Sequence, residues 1–308
     1  VVGSDGAVLL TGDTSFKVTP SPFLWDDYRF GECYDARREA DIEGWKLPGF
    51  DDSAWAFALP AEAPTGELRV ADVAPITVER EIKPVDIFPC GESFIYDFGE
   101  NNAGVCRLRV KGKAGQKIEL RFAEALKDGN IRLDNVWFVR DYWERDKEIV
   151  HLDTYICKGE GVETYIPAFT YHGFRYIRVD GITAEQATPD LLTYLVMHTE
   201  MEDRGGFVCS DPVANKIQEI TRRSILSNFH HFPTDCPHRE KNGWTADAAL
   251  SCEAALINFN PERNYREWMR NICRAQDEKG SLPGIVPTGG WGFAWGNGPA
   301  WDCVLVYL

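Results

Sequence analysis

The sequence predicts a multidomain protein in which β-sandwich domains are followed by a helical region. Before residue 200, short segments alternate apolar and polar side chains with the two-residue period of strands; after it, the apolar residues recur at helical spacing. With 308 residues, 44% of them hydrophobic, the chain is long enough for more than one core. We predict an N-terminal β-sandwich-type region over 1–75, a β-sandwich domain over 76–200 and a helical region over 201–308.

Four segments of the first half have the alternation of half-buried strands: RLRVKG (107–112), KIELRFAE (117–124), DTYICKG (153–159) and FRYIRVDG (174–181). Turn sequences such as KDGN and KGEG separate them. Two segments rich in aromatic and turn residues, FIYDFGENNAG (94–104) and PAFTYHGFRY (167–176), are interpreted as structural corners of a sandwich.

The N-terminal region contains the Trp- and Asp-rich stretch EGWKLPGFDDSAWAFA (43–58). This pattern resembles the sugar-binding jelly rolls that are often attached to carbohydrate enzymes. The alternative interpretation is that Trp45, Phe50 and Trp55 are core residues.

Three helices are predicted after residue 200. Asp211 and Pro212 suit the N-cap and first position of the first helix, and a second helix should run from about Thr245 to Phe259. Asn260 and Pro261 would begin a third, which Gly280 would end. The apolar faces expected for the first and third helices are Val213, Ile217, Ile220 and Ser224, and Tyr265, Trp268, Met269 and Ile272, respectively.

Composition excludes several classes of partner. The net charge of −15, without any block of basic residues, argues against nucleic acid and anionic membrane surfaces. No apolar run reaches the length of a membrane span, and the first residues do not form a signal peptide. The nine scattered cysteines, without a CxxC pair, argue against disulfides and structural zinc and favour mostly buried thiols. Reduced thiols favour a cytoplasmic location, while a periplasmic one stays open.

The polar stretch PTDCPHREKNGWTADA (233–248) lies between the first two predicted helices, where functional loops are common. Asp235 and Glu240 lie five residues apart around a proline, a spacing that loop geometry must set. Arg239 offers a planar donor for hydroxyls, and Trp244 offers a flat apolar face three residues before Asp247. Carboxylates, one arginine and a tryptophan are the side chains that a sugar site requires.

Three other interpretations of this stretch are open. His230, His231, Cys236 and His238 could bind a metal, although no spaced ligand pair recurs. Cys236 with His238 could form a thiol nucleophile, although residues two apart seldom face each other. Asp235 and Glu240 could simply cap helices and pair with Arg239 and Lys241.

The stretch resembles the signature of the bacterial α-L-rhamnosidases, glycoside hydrolase family 78, commonly D-C-P-Q-R-D-E-R-L-G-W-T-G-D. The resemblance extends over about residues 90–308, through YDFGENNAGVCRLRVKGKAGQKIELRFAEALKDGN, DTYICKGEGVETYIPAFTYHGFRYIRVDG and GPAWDC. It implies β-sandwich domains followed by an (α/α)₆ barrel, and inverting hydrolysis of terminal α-L-rhamnosyl linkages. No cofactor is predicted and no metal is predicted among the site residues, while calcium or sugar binding by a sandwich domain stays open.

The resemblance also implies roles for individual residues. Glu240 would be the general acid, although this chain has one position fewer than the common pattern between the arginine and Gly-Trp. The substrate-binding residues would be Asp235, Arg239, Trp244, Asp247, Trp301 and Trp295, with Trp291 competing for the role of the later tryptophans. The family's general base is a later glutamate.

Residues 201–308 are too few for twelve helices, and the chain starts without Met and stops at DCVLVYL. We therefore expect a truncated barrel whose general base lies beyond residue 308. The predicted partner is a rhamnose-containing oligosaccharide or glycoside, and the oligomeric state is not predicted. The alternative is a non-catalytic carbohydrate-binding protein.

Overall fold

The computed structural model describes residues 4, 7, 12–62, 69–136, 148–288, 292–294 and 298–308. Among these residues, strands dominate up to Asp203 and helices dominate from Pro212 onwards. The predicted order of a mostly β region followed by a helical region is therefore confirmed.

One sheet of ten strands organises the β region. Its strands are β1 (Phe23–Asp27), β2 (Gly31–Asp35), β3 (Ile76–Ile82), β4 (Asp86–Cys90), β5 (Ser93–Val110), β6 (Lys117–Ala123), β7 (Leu152–Ile156), β8 (Glu163–Tyr165), β9 (His172–Asp180) and β10 (Leu192–Thr199). Eight strands follow the order β1-β2-β7-β6-β9-β5-β10-β3, while β4 and β8 also pair with β5. The pairing is antiparallel except between β2 and β7, which are parallel.

Strand β5 is long enough, at 18 residues, to pair with different neighbours along its two halves. Strand β4 pairs with it over 93–97 and β9 over 94–104, while β10 and β8 pair with it over 104–110. The segment 94–104 thus lies inside this strand rather than at a corner, with positive φ at Gly99 and Gly104. Apolar side chains from both halves enter the main core, with buried aromatics from β6 and β9 such as Phe122 and Phe174.

Strand pairing crosses the predicted boundary at residue 75. Strands β1 and β2 belong to the ten-stranded sheet, and β2 lies directly beside β7. Two further short strands described before residue 75, Lys17–Val18 and Ala56–Phe57, pair with each other. Among the described residues, the next strand in the chain is β3. The three-region division therefore stays a prediction.

The aromatic residues of the segment 43–58 are not a buried core. Trp45 is 49% exposed, so the core interpretation is wrong for this residue. Phe50 and Trp55 are partly exposed and contact each other edge to face at 5.4 Å between ring centroids.

The helical region contains α1 (Pro212–Ser227), α2 (Thr245–Asn258), α3 (Glu262–Arg274) and the short α4 (Pro299–Asp302) and α5 (Val304–Tyr307). Short 3₁₀ helices span Ala36–Ile42 and Gly292–Ala294. Further two-residue strands pair as Leu126–Lys127 with Asn130–Ile131, Glu202–Asp203 with Phe259–Asn260, and Phe229–His230 with Phe232–Pro233.

The first two helices begin where the sequence predicts. Asp211 caps α1 by accepting from the Val213 backbone N–H at 2.8 Å, and α2 begins at Thr245. The predicted apolar face of α1 is exposed in the structure, with Ile217 56% and Ile220 48% accessible.

The third helix differs at both ends. Pro261 rather than Asn260 occupies the cap position, because Asn260 pairs as a strand with Glu202. The helix ends at Arg274, and Gly280 closes a separate turn by donating its N–H to the Asp277 carbonyl at 3.0 Å. The predicted buried face is confirmed for Tyr265, Trp268 and Ile272.

The loop of residues 233–244, called the acidic loop below, is held between the sheet and the helices. Gly173 of β9 lies against Pro237, and a Cβ added at Gly173 would be 2.6 Å from the proline Cγ. On the other side, Gly243 and Val286 are joined by a backbone hydrogen bond of 2.9 Å.

Gly173→Ala is expected to destabilise the protein by about 1 to 3 kcal/mol, because the rigid ring of Pro237 cannot move aside cheaply. Gly206→Ala is the matched control, since a Cβ there meets nothing within 4 Å and neither glycine has a positive φ. Thermal midpoints of the two variants measure the difference. Equal midpoints would show that Pro237 and the acidic loop can move to accept the added methyl group without a loss of stability.

Candidate active site

The acidic loop is closed by hydrogen bonds between its two ends. The Asp235 backbone N–H donates to the Asn242 carbonyl at 3.0 Å, and the Asn242 N–H donates to Asp235 Oδ1 at 2.9 Å. Lys241 has φ of 54°, a left-handed conformation that helps the chain turn back. Asp235 therefore closes the loop instead of capping a helix.

Glu240 is fixed by Trp244. The indole Nε1–H donates to Glu240 Oε2 at 2.7 Å, and the side chain of Glu240 is only 17% exposed. Trp244 in turn lies immediately before α2, where its carbonyl accepts from the Ala248 N–H at 3.2 Å. Glu240 Oε1 is 4.0 Å from Arg239 Nε, so this second oxygen is not held by a close bond to the arginine.

Asp235 occupies an environment that disfavours its charge. Burial raises its pKa from 3.8 to about 6, and the negative charges of Glu240 and Asp247 act in the same direction. The Cys236 thiol, 2.9 Å from Oδ2, and the Asn242 N–H oppose the shift. The two hydrogen bonds set the orientation of the carboxyl group.

Asp247 lies in the first turn of α2 and joins Asp235 at one cavity. Burial, followed by the charge of Glu240, raises the pKa of Asp247 above its ordinary value. The cavity has a volume of about 230 Å³ and is lined by both aspartates and by residues of α1, α2 and α3. Two buried polar atoms of lining residues, Asn228 Oδ1 and the Tyr265 hydroxyl, have no hydrogen-bond partner within the described part of the chain.

Lys241 points away from the carboxylates. Its ammonium donates to the backbone carbonyls of Tyr28 at 2.7 Å, Arg29 at 3.2 Å and Tyr171. The residue is 1% exposed, and burial lowers its pKa from 10.5 to about 7. The interpretation in which Lys241 pairs with Asp235 or Glu240 is therefore wrong.

Arg29 contacts the acidic loop from the turn between β1 and β2. Its Nε donates to the Glu240 carbonyl at 3.0 Å, and Nη2 donates to Asn242 Oδ1 at 2.7 Å. Sequence reasoning did not find this residue, because it lies more than 200 positions from the loop and no local pattern marks it.

The thiol-nucleophile interpretation of Cys236 conflicts with its environment. Burial and the adjacent Asp235 carboxylate raise the pKa of the thiol to about 12, so the nucleophilic thiolate is disfavoured. All nine cysteines are free, and four of them are buried, which is fewer than the expected majority.

The candidate metal ligands point to different neighbours. His230 stacks on Tyr171 at 3.9 Å, His238 Nδ1 is 3.7 Å from a Glu124 carboxylate oxygen, and the Cys236 thiol contacts Asp235. Over the ranges that the structure covers, no group of three or more His, Cys, Asp or Glu side chains could hold a metal ion.

Trp301 is not joined to the acidic loop by any hydrogen bond within the described part of the chain. Trp301 lies in α4, partly buried, and its indole N–H has no partner there. Trp291 and Trp295 lie outside the described residues. The structure thus brings together Asp235, Arg239, Glu240, Trp244 and Asp247, and leaves the roles of Trp295 and Trp301 as predictions.

Three family models match consecutive segments of the chain. Residues 3–80 match the α-L-rhamnosidase N-terminal domain, 90–198 the bacterial α-L-rhamnosidase concanavalin-like domain, and 202–308 the bacterial α-L-rhamnosidase 6 hairpin glycosidase domain. The chain belongs to the bacterial α-L-rhamnosidase family. The acidic loop lies within the third matched segment.

Named relatives of this family resemble the chain over most of its length. An α-L-rhamnosidase of Streptomyces avermitilis is 34% identical over 92% of the chain, and one of Formosa agariphila is 33% identical over 84%. The α-L-rhamnosidase structure from Dictyoglumus thermophilum covers 99% of the chain with a TM-score of 0.86 and 36% identity. The S. avermitilis enzyme complexed with L-rhamnose also covers 99%, with a TM-score of 0.85 and 32% identity.

The chain spans only part of these rhamnosidases: 28% and 27% of the two curated relatives and 33% and 29% of the two solved chains. No helix of the described residues is both long and apolar enough to cross a membrane.

The shifted pKa of Asp235 predicts a pH-dependent stability. Between 3.8 and about 6, the folded protein retains a proton that the unfolded chain has lost, so this group lowers the free energy of unfolding as the pH rises through that range. Asp235→Asn removes the charge and is expected to stabilise the protein at about pH 7.5, by on the order of 2 kcal/mol, with little effect at about pH 4.

Thermal midpoints at the two pH values test this expectation, with exposed Asp52→Asn as the control. A variant that is less stable than its parent at pH 7.5, or equally shifted at both values, would contradict the burial argument.

Proposed function

We propose that the full-length protein containing this chain is an α-L-rhamnosidase that hydrolyses terminal α-L-rhamnosyl linkages, with Glu240 as the general acid. The observation that carries the proposal is the Trp244 Nε1–H bond to Glu240, which holds one partly enclosed carboxyl beside two further carboxylates. Every relative named above is an α-L-rhamnosidase, which supports hydrolysis over a purely carbohydrate-binding role.

The proposal gives different tasks to the two oxygens of Glu240. Oε2 accepts the Trp244 N–H, so the transferable proton is placed on Oε1. A proton on Oε1 can pass to the glycosidic oxygen as the bond to the sugar breaks, which makes the leaving group a neutral alcohol. An inverting reaction also needs a second carboxylate, roughly 6.5 to 9.5 Å away, to activate water on the other face of the sugar.

Asp235 and Asp247 are proposed to bind sugar hydroxyls at the cavity that they share. Arg239 is 40% exposed and its buried Nε has no hydrogen-bond partner among the described residues, so it is available as a donor to the same ligand. The apolar face of Trp244 would pack against the sugar while its N–H holds Glu240. Trp295 and Trp301 are proposed to contribute from the later glycine-rich segment.

The domain division of the chain is part of the same proposal. Residues 1–75 and 76–200 would belong to β-sandwich domains, and 201–308 to the first part of an (α/α)₆ barrel. The partner would be a rhamnose-containing oligosaccharide or glycoside.

Glu240→Gln in the full-length protein is expected to lower kcat on an unactivated rhamnoside by on the order of 10² to 10⁴, because the amide cannot donate the proton that the leaving alcohol needs. A dinitrophenyl rhamnoside, whose leaving group needs little protonation, should be far less affected. Kinetics with both substrates, and rhamnose binding by calorimetry, measure this selectivity.

The matched control is Glu278→Gln, an exposed glutamate in a turn of the same region. Unchanged kcat of Glu240→Gln on the unactivated substrate would remove Glu240 from the role of acid. Equal losses on both substrates would also remove Glu240 from that role, because the loss of a proton donor must depend on the leaving group.

The stereochemistry of the product tests the inverting part of the proposal. Proton NMR of the reaction mixture, recorded before mutarotation, should show β-L-rhamnose as the first anomer released from an α-L-rhamnoside. Initial release of the α-anomer would indicate a covalent intermediate and defeat the inverting mechanism.

A further inference from the structure

The peptide unit of Glu240 is held from the sheet side by two cations. Arg29 donates Nε–H to the Glu240 carbonyl at 3.0 Å, and Lys241, the next residue, buries its ammonium among carbonyls of the β region. The backbone of the proposed acid is therefore fixed by residues that lie outside the loop or point away from the cavity.

The Lys241 contact is directional as well as strong. An ammonium has three N–H donors, and the carbonyls of Tyr28, Arg29 and Tyr171 provide three acceptors. The rings of Tyr171 and Tyr28 lie 4.6 and 5.4 Å from the same nitrogen. Since a buried ammonium without these partners would be costly, the side chain has one stable position.

Arg29 links the acid to the aspartate of the cavity. Besides the Glu240 carbonyl, it binds Asn242 Oδ1 at 2.7 Å, and the Asn242 backbone N–H binds Asp235 Oδ1 at 2.9 Å. One guanidinium therefore contacts both the Glu240 carbonyl and the side chain of Asn242, whose backbone N–H closes the loop onto Asp235. Its planar arrangement of donors is suited to two acceptors at fixed spacing.

We propose that Arg29 and Lys241 are positioning residues that hold Glu240 at the glycosidic oxygen, so that the turn between β1 and β2 is a working part of the active site. This proposal rests on the proposed role of Glu240 as the acid. A displacement of the carboxyl by about 1 Å can cost on the order of 100-fold in rate, even when the residue that holds it does not itself touch the substrate.

The experiment compares Arg29→Gln, Arg29→Lys and Lys241→Met in the full-length protein. Each is assayed on a rhamnosyl disaccharide and on dinitrophenyl rhamnoside. Arg29→Gln is expected to lower kcat on the disaccharide by roughly 10- to 100-fold and on the aryl substrate by less than about 3-fold, with KM nearly unchanged. Arg29→Lys should recover part of the disaccharide rate, because an ammonium can replace one of the two bonds.

Lys241→Met should show the same selectivity for the leaving group. The loss of Lys241 leaves buried carbonyls unpaired, so this variant can fail to fold. In that case the comparison of Arg29→Gln with Arg29→Lys decides whether the positioning role stands. Exposed Lys279→Met is the matched control for Lys241 and should leave both rates unchanged.

Glu240→Gln is assayed in parallel so that the two proposals fail separately. If Glu240→Gln is selective for the leaving group and Arg29→Gln lowers both rates equally or neither rate, the positioning role is overturned and the acid assignment stands. If Glu240→Gln itself shows no selectivity, the acid assignment and the positioning role are both overturned.

Discussion

The geometry of the site depends on the burial of one ammonium group. Removing Lys241 from water costs several kcal/mol, and the carbonyl groups of Tyr28, Arg29 and Tyr171 offset this cost only while they surround the nitrogen. The requirement is mutual, since the same carbonyls would otherwise need other donors. The loop that carries Glu240 cannot shift relative to the sheet without breaking these bonds, and the left-handed backbone of Lys241 gives the side chain its direction toward them.

The inward turn of Lys241 also determines the electrostatics of the loop. With that cation directed into the sheet, burial and the charge of Glu240 raise the pKa of both Asp235 and Asp247, and Arg239 Nε lies 4.0 Å from Glu240 Oε1. The arrangement is unfavourable for folding but favourable for binding hydroxyls, because desolvated acceptors bond more strongly to a ligand than hydrated ones.

Sequence reasoning succeeded where the determining interactions are local. The acidic loop could be recognised because Asp235, Glu240 and Trp244 lie within ten residues, and the start of α1 because Asp211 and Pro212 are adjacent. It failed where distant segments decide. Asn260 is drawn out of the predicted start of α3 by pairing with Glu202, about 60 positions away, and the parallel pairing of β2 with β7 joins residues about 120 positions apart. Arg29 could not be found for the same reason, since its partners exist only after the sheet has formed.

These distant contacts explain why the three matched segments belong together. Arg29 comes from the segment that matches the N-terminal domain, Tyr171 and Gly173 from the concanavalin-like segment, and Glu240 from the hairpin glycosidase segment. All of them contact the acidic loop or form part of it. If the β segments merely accompanied the helical region, the loop would be expected to be supported by helical residues alone. Instead the buried ammonium of Lys241 is bound by backbone carbonyls of the β region, so the candidate site is completed only when all three segments are folded against one another.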